Sequence, residues 1–205
     1  SMALVAACDS SFLFGPPRTI EGVEGEGEGE GEGAVVDRAV CGGANIVTAS
    51  APIAMTSQRA RHAAALLKDG RVLVVGGNDS TTQTSLKTAE LFDPSTQTFS
   101  AAGSMNEGRI DFALVALDDG RAVAFGGFDN DPSDATAGSL ATTEIFDAST
   151  GQWSAGPPMP EPRDALSAAK VAGGKVLVFG GQTNSSSLPL DVLVFSDALT
   201  AAPTF

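Results

Sequence analysis

The chain has 205 residues, 42% of them hydrophobic and 18% charged, with a formal net charge of -13. Charge of that sign repels nucleic acid and anionic membrane surfaces, so neither is expected as a partner. No apolar stretch approaches the roughly 18 residues that span a bilayer, and sparse charge among many Gly, Ala, Ser and Thr favours short strands and turns over long charged helices.

At the start, "ALVAACDSS" places Val5, Ala6 and Ala7 directly before Cys8. The run resembles the lipobox of bacterial lipoproteins, where the cysteine is lipidated after cleavage and a flexible linker follows. That resemblance implies lipidation at Cys8 and an extracytoplasmic or membrane-anchored protein in a bacterium. It departs from the pattern in that seven residues precede Cys8 and none is basic, short of a whole signal peptide. The plain alternative is an ordinary unstructured terminus on a cytoplasmic protein. Cys8 and Cys41 are the two cysteines; they lack CxxC spacing and make no zinc signature, and a disulfide between them stays open. From Glu21 to Gly33, acid and glycine alternate with no side chain to bury, which reads as a disordered tether. A weak cation-binding tail is the functional alternative, opposed by the entropy of ordering a flexible chain. Residues 1–44 are therefore expected as an acidic disordered tail, and residues 45–205 as the folded segment.

The folded segment repeats. "RVLVVGGN", "RAVAFGGF" and "KVLVFGGQ" align on Gly76-Gly77, Gly126-Gly127 and Gly180-Gly181. Each unit opens with an arginine four residues after a methionine: Met55 and Arg59, Met105 and Arg109, Met159 and Arg163. A run of small apolar residues follows, then a Gly-containing turn, then the apolar run into Gly-Gly. A polar loop of variable length leads to "TAELFD", "TTEIFD" or "DVLVFS". The first two segments of each unit form a hairpin. The second is apolar at nearly every position, as in a strand covered on both faces. The third alternates, with Glu90 and Glu144 beside Leu91 and Ile145. Four short antiparallel strands repeating every fifty-odd residues describe blades of a β-propeller.

The pattern resembles the kelch repeat, in which an apolar run and Gly-Gly are followed by two aromatics with six residues between them. Phe92 and Phe99 fit that spacing, as do Phe146 and Trp153; in the third unit Phe195 holds the first position, but Ala202 stands at the second. The family's usual tyrosine is replaced by phenylalanine throughout. The fold expected is an all-β, kelch-type propeller segment of about three four-stranded blades, plus one extra strand within Asn45 to Met55, where Ala49 sits six before Met55 as Phe99 does before Met105. Leu73, Val75, Val123, Phe125, Leu177 and Phe179 are the expected second-strand core, with Phe92, Phe146 and Trp153 between sheets.

The doubled glycines, Gly76, Gly77, Gly126, Gly127, Gly180 and Gly181, have a structural reading: the chain leaves an inner strand and turns where neighbouring blades meet, and glycine allows positive φ and close approach. A phosphate-cradling loop would need a helix after the glycines, and polar loops follow instead.

Catalysis finds little support. The chain has one histidine, His62, and no tyrosine, so it lacks the ligand set of the copper-radical enzymes built on kelch propellers. His62 stands where Phe112 and Leu166 stand in the other units and reads as a packed strand residue. "DNDPSD" (Asp129 to Asp134) offers carboxylates for calcium, but Leu140 occupies the twelfth position, where a calcium loop closes with Glu, and a solvated loop is expected. No cofactor and no metal is expected.

Arg59, Arg109 and Arg163 recur once per unit and should face a common rim. In kelch proteins that bind acidic peptides, arginines in this part of the blade line the binding surface; the resemblance carries that role to Arg59, Arg109 and Arg163, with Arg61 as neighbour. The alternative is that each pairs with Glu90, Glu144 or a loop carbonyl. The function expected is a non-catalytic binding scaffold whose loops contact a protein or glycan. The alternative is part of a carbohydrate-active propeller enzyme. Three units leave two apolar blade faces open, so self-association through them is also expected.

Overall fold

The tight Gly-containing turns fold each apolar run back on the small-residue run before it, and the hairpins so made seed the sheets. The structure, a computed structural model, describes residues 52–79, 81–134, 137–184 and 188–196. The expected tail, Cys8, Cys41, Ala49 and Ala202 lie outside the described residues. The described residues from Ile53 onward form one compact unit.

In chain order, the first blade holds β1 (Ala63–Leu66), β2 (Val72–Val75), β3 (Thr88–Asp93) and β4 (Thr98–Ser104), hydrogen-bonded in that order. The second holds β5 (Ala113–Ala116), β6 (Arg121–Phe125), β9 (Thr143–Asp147) and β10 (Gln152–Ala155), again in order. Its longer loop carries a small extra hairpin, β7 (Phe128–Asp129) and β8 (Gly138–Ser139), that the sequence does not announce. The third holds β11 (Ser167–Val171), β12 (Lys175–Phe179) and β13 (Val192–Ser196). All pairings are antiparallel, and no helix occurs among the described residues. The architecture is the expected all-β one of propeller blades.

Equivalent residues hold equivalent places. Phe92 pairs with Val72, Phe146 with Ala122 and Phe195 with Val176. Each second strand alternates between a leading face, turned toward the preceding blade, and a trailing face, turned toward the next. Leu73, Val75, Ala89 and Leu91 on the first blade's trailing face join Ala122, Ala124 and Phe146 of the second in one apolar cluster. Val123, Phe125 and Ile145 on the second blade's trailing face join Val176, Val178 and Phe195 of the third. Phe125 and Phe195 meet edge to face at 5.3 Å across that junction, a geometry that aligns the positive ring edge with the negative ring face.

One expectation changes. Leu177 is only half-buried and Phe179 is 37% exposed, while Val176 and Val178 are the buried pair of β12. Leu177 and Phe179 lie on the third blade's trailing face, which no described residues cover. Of the run from Asn45 to Met55, where the extra strand is expected, only 52–55 are described, and these carry no strand. Three strands of the third blade are described, and the stretch around Ala202, where its fourth is expected, lies outside the described residues.

Candidate functional site

The connector entering each blade carries the recurrent arginine. Arg109 Nη1 donates to the carbonyls of Gly126 (2.8 Å) and Thr142 (2.9 Å), and Nη2 reaches Glu144 Oε1 at 3.1 Å and Glu107 Oε2 at 2.8 Å. Arg59 repeats the pattern on Gly76, Thr88 and Glu90, at 2.7, 3.1 and 2.6 Å. Each guanidinium thus ties the doubled glycine of the second strand to the third strand of its own blade. The carboxylates also accept connector amides: Thr56 N and Ser57 N on Glu90, Asn106 N and Glu107 N on Glu144. Burial pushes the Glu90 carboxyl up, but the Thr56 side chain and amide together with Arg59 outweigh it and hold it below the usual carboxylate range.

Arg163 differs. Leu193 stands in register with Val178 where a glutamate pairs with the equivalent residue in the other blades. Arg163 Nη2 turns instead to Asp191 (2.6 Å) and Glu161 (2.7 Å), and Nη1 keeps the Gly180 carbonyl at 3.3 Å. The Arg163 contact holds the Asp191 carboxyl below its usual range.

The three arginines therefore do not face a rim. Arg59, Arg109 and Arg163 are buried, with their terminal nitrogens bound to backbone and carboxylate oxygens. Apolar surroundings make an unpaired guanidinium prohibitive, so the charges find partners inside the blade. Arg61 is the exposed member of the set. Its Nε donates to Asp111 Oδ1 at 2.9 Å, and Nη2 closes a second contact with Oδ2.

Arg61, Asp111 and Ala165 occupy the same place in successive blades, two residues after each buried arginine. All three have left-handed backbone, with φ of 57°, 50° and 52°. Asp111 N donates to Arg61 O (3.4 Å) and Ala165 N to Asp111 O (2.8 Å), so this row links blade to blade. Strain repeated at one position in a non-glycine residue is maintained by surrounding structure. The next residue, His62, is exposed, contrary to expectation, whereas Phe112 and Leu166 are buried. Phe112 lies against Gly76 of the preceding blade, and His62 has no such blade among the described residues.

The loops after the doubled glycines stand at the same end as these connectors, bridged to them by Ala60 with Asn78, Ile110 with Phe128 and Asp164 with Gln182. They also latch to one another. The Ser85 hydroxyl donates to Asp129, Asn130 Nδ2 donates to Gln83 O at 2.6 Å, and the Ser139 hydroxyl donates to Asp164. Asp129 is thus buried rather than part of a solvated loop. Asp131 caps its own turn, accepting from the Ser133 hydroxyl and amide, which hold its carboxyl below the usual range. Asp79 does the same for Thr81 and Thr82.

At the opposite end, Lys68, Asp69, Asp119, Arg121, Asp147 and Ser149 border an open hollow at the hairpin turns. Its charges are paired locally, Arg71 with Asp69 and Arg121 with Asp119, each at 2.6 Å. The loop end is the stronger candidate site: rigid beneath, variable from blade to blade, and richer in acids that keep partial exposure than in bases. The left-handed row carries no signal in the sequence, because no shared residue type marks its positions; the latch donors Ser85 and Ser139 do recur, each before a leucine.

The Kelch motif matches residues 59–106 and 112–160. These segments correspond to the first and second blades, each opening at the connector or first strand and ending after the fourth strand. No curated protein matches the chain.

Proposed function

The chain carries kelch repeats, and from that premise we propose that it is a protein-binding scaffold. Its binding face is the loop end built from residues 78–79, 81–87, 128–134, 137–142, 182–184 and 188–191 with the connectors at Arg61 and Asp111. One observation carries this reading: the buried Arg59–Glu90 and Arg109–Glu144 pairs fix the base of two blades identically, while the loops above them differ in length and composition. Rigid frames with variable loops are how repeat folds create specificity. Asp79, Asp131, Asp134 and Asp111 outnumber Arg61 and Lys87 among the side chains of this end, so the partner segment it suits is basic or rich in hydrogen-bond donors rather than acidic.

The test is titration with a Lys/Arg-rich peptide, an acidic peptide and a neutral oligosaccharide. Binding of the basic peptide should weaken on neutralising Asp79, Asp131 and Asp134, and should survive neutralisation of Asp69 and Asp119 at the opposite end. Equal loss from both sets would reduce the attraction to net charge and remove the loop end as the site.

A further inference from the structure

We infer that Ser85 and Asp129 are positioning residues of the proposed binding face: their latch ties the second-blade loop to the first, so that Asp131 meets a basic partner in a fixed place. The inference rests on the loop-end reading given above.

Three successive residues of the second loop converge on the latch. The Ser85 hydroxyl donates to Asp129 Oδ1, and the same oxygen accepts the Asp131 amide at 3.0 Å. Ser85 Oγ in turn accepts the Asn130 amide at 3.4 Å, and Asn130 Nδ2 donates to Gln83 O at 2.6 Å. One hydroxyl therefore holds the backbone of Asn130 directly, and that of Asp131 through a single carboxylate oxygen.

The latch is enclosed, unlike the acid it aims. Asp129 is 2% exposed and Ser85 8%, whereas Asp131 keeps partial exposure. The second-blade connector closes over Ser85: a Cβ on Gly108 would stand 2.5 Å from Ser85 Oγ. The bonds to Asp129 come from a hydroxyl and an amide, both neutral. A buried carboxylate held in this way offsets little of its desolvation cost. What it supplies is one oxygen that accepts from two loops at once.

The junction between the second and third blades builds the same tie from different parts. Ser139, at the place of Ser85, donates its hydroxyl to Asp164, which is 4% exposed and also accepts Gln182 Nε2 at 2.8 Å. Asp129 lies two residues past a doubled glycine, whereas Asp164 directly follows a buried arginine. The equivalent hydroxyl thus finds a carboxylate of the following blade by two routes, and the tie between blades is what the two junctions share. A loop already tied to its neighbour loses less freedom when a partner docks, so the latch favours binding without touching the partner.

Two measurements test this: hydrogen exchange at the Asp131 amide in the free chain, and titration with the Lys/Arg-rich peptide. Ser85→Ala removes the donor and Asp129→Ala the acceptor; Asp129→Asn keeps an acceptor oxygen but no charge. The Asp131 amide should exchange faster in both alanine variants, and Asp129→Asn should rescue it. Peptide affinity should fall by about tenfold in the alanine variants, within the coupling range of residues in one hydrogen-bond network, and again recover in Asp129→Asn. Ser85→Ala should lose little further affinity once Asp131→Asn is present. Circular dichroism checks the fold, and Ser85→Ala, which removes a single oxygen, carries the test alone should Asp129→Ala unfold. Equal weakening by Asp129→Ala and Asp129→Asn would overturn positioning in favour of the charge of Asp129. Fully additive losses in Ser85→Ala with Asp131→Asn would overturn the route through Asp131. Unchanged exchange at Asp131 in Ser85→Ala would overturn the latch whatever the peptide does. A native chain that leaves the peptide unbound would overturn the loop-end reading, and with it the binding role of the latch, even where the exchange result holds.

Discussion

The Arg109 guanidinium lies 3.1 Å from the Glu144 carboxylate, and neither side chain reaches solvent. Two charges removed from water together are tolerated only when paired and hydrogen-bonded, and here the Gly126 and Thr142 carbonyls and the Asn106 amide add partners, leaving Arg109 Nε as the buried nitrogen without one. Arg109→Met should therefore destabilise by about 3–5 kcal/mol, the usual result of stranding a buried charge. Asp191→Asn at the third blade should shift the urea midpoint far less, because Arg163 keeps Glu161 and the Asp191 side chain is 56% exposed. Equal shifts would mean that the exposed carboxylates matter as much as the buried one.

Glycine substitutions should separate turn strain from junction crowding. At Gly70, φ is 90° and a Cβ would meet nothing within 4 Å, so Gly70→Ala should lose only the backbone preference, about 1–2 kcal/mol. Gly76→Ala adds a Cβ at 2.6 Å from the Arg109 carbonyl and 2.9 Å from the Phe112 ring. Its unfolding midpoint should fall clearly below that of Gly70→Ala in the same denaturant series. Matching midpoints would remove the close approach as the reason for the doubled glycine.

The repeat made the blades legible from the sequence, because Gly-Gly, the aromatic spacing and the Met-to-Arg spacing recur in register. The two open faces are where that reading fails. Alternation separates Leu177 and Phe179 from Val176 and Val178, but only a neighbouring blade decides which pair is buried. The arginines were visible as a repeated position with two readings, rim or internal pair; burial decides against the rim, since Arg109 and Arg163 are fully enclosed. The row of Arg61, Asp111 and Ala165 was not visible at all. Its backbone is left-handed at residues that share no chemistry, and the packing around them imposes it.

Aromatic truncation should grade with burial. Phe146 is fully buried between the first two blades, and Phe146→Ala should destabilise by about 3–5 kcal/mol. Trp153 stacks on it at 5.2 Å and donates Nε1–H to Ala102 O at 3.1 Å, but it is only half-buried. Trp153→Ala should fall below the roughly 3–5 kcal/mol of a fully buried aromatic. Trp153→Phe should lose about 1 kcal/mol, the value of one hydrogen bond. Chemical denaturation would rank the three, and Trp153→Ala exceeding Phe146→Ala would reverse the assignment of the junction core.

Acid should weaken the fold through carboxylates that the folded state keeps ionised. Glu90 is held below its usual range because the Thr56 side chain and amide together with Arg59 outweigh the upward push of burial; Asp191 is lowered by Arg163. For both, the unfolded chain has the higher pKa and binds protons first as pH falls. Their contribution is therefore complete above the unfolded values, near pH 4 for such side chains, and is lost as pH drops through the lower folded ones. Urea midpoints should stay level from about pH 7 to 5 and decline below about pH 4. Glu90→Gln should start from a lower midpoint at neutral pH and show a shallower acid decline, since the amide offers nothing to protonate and pairs poorly with Arg59. A decline beginning near pH 6 would point instead to groups other than these carboxylates. An unchanged slope in Glu90→Gln would show that Glu90 carries no part of the acid response.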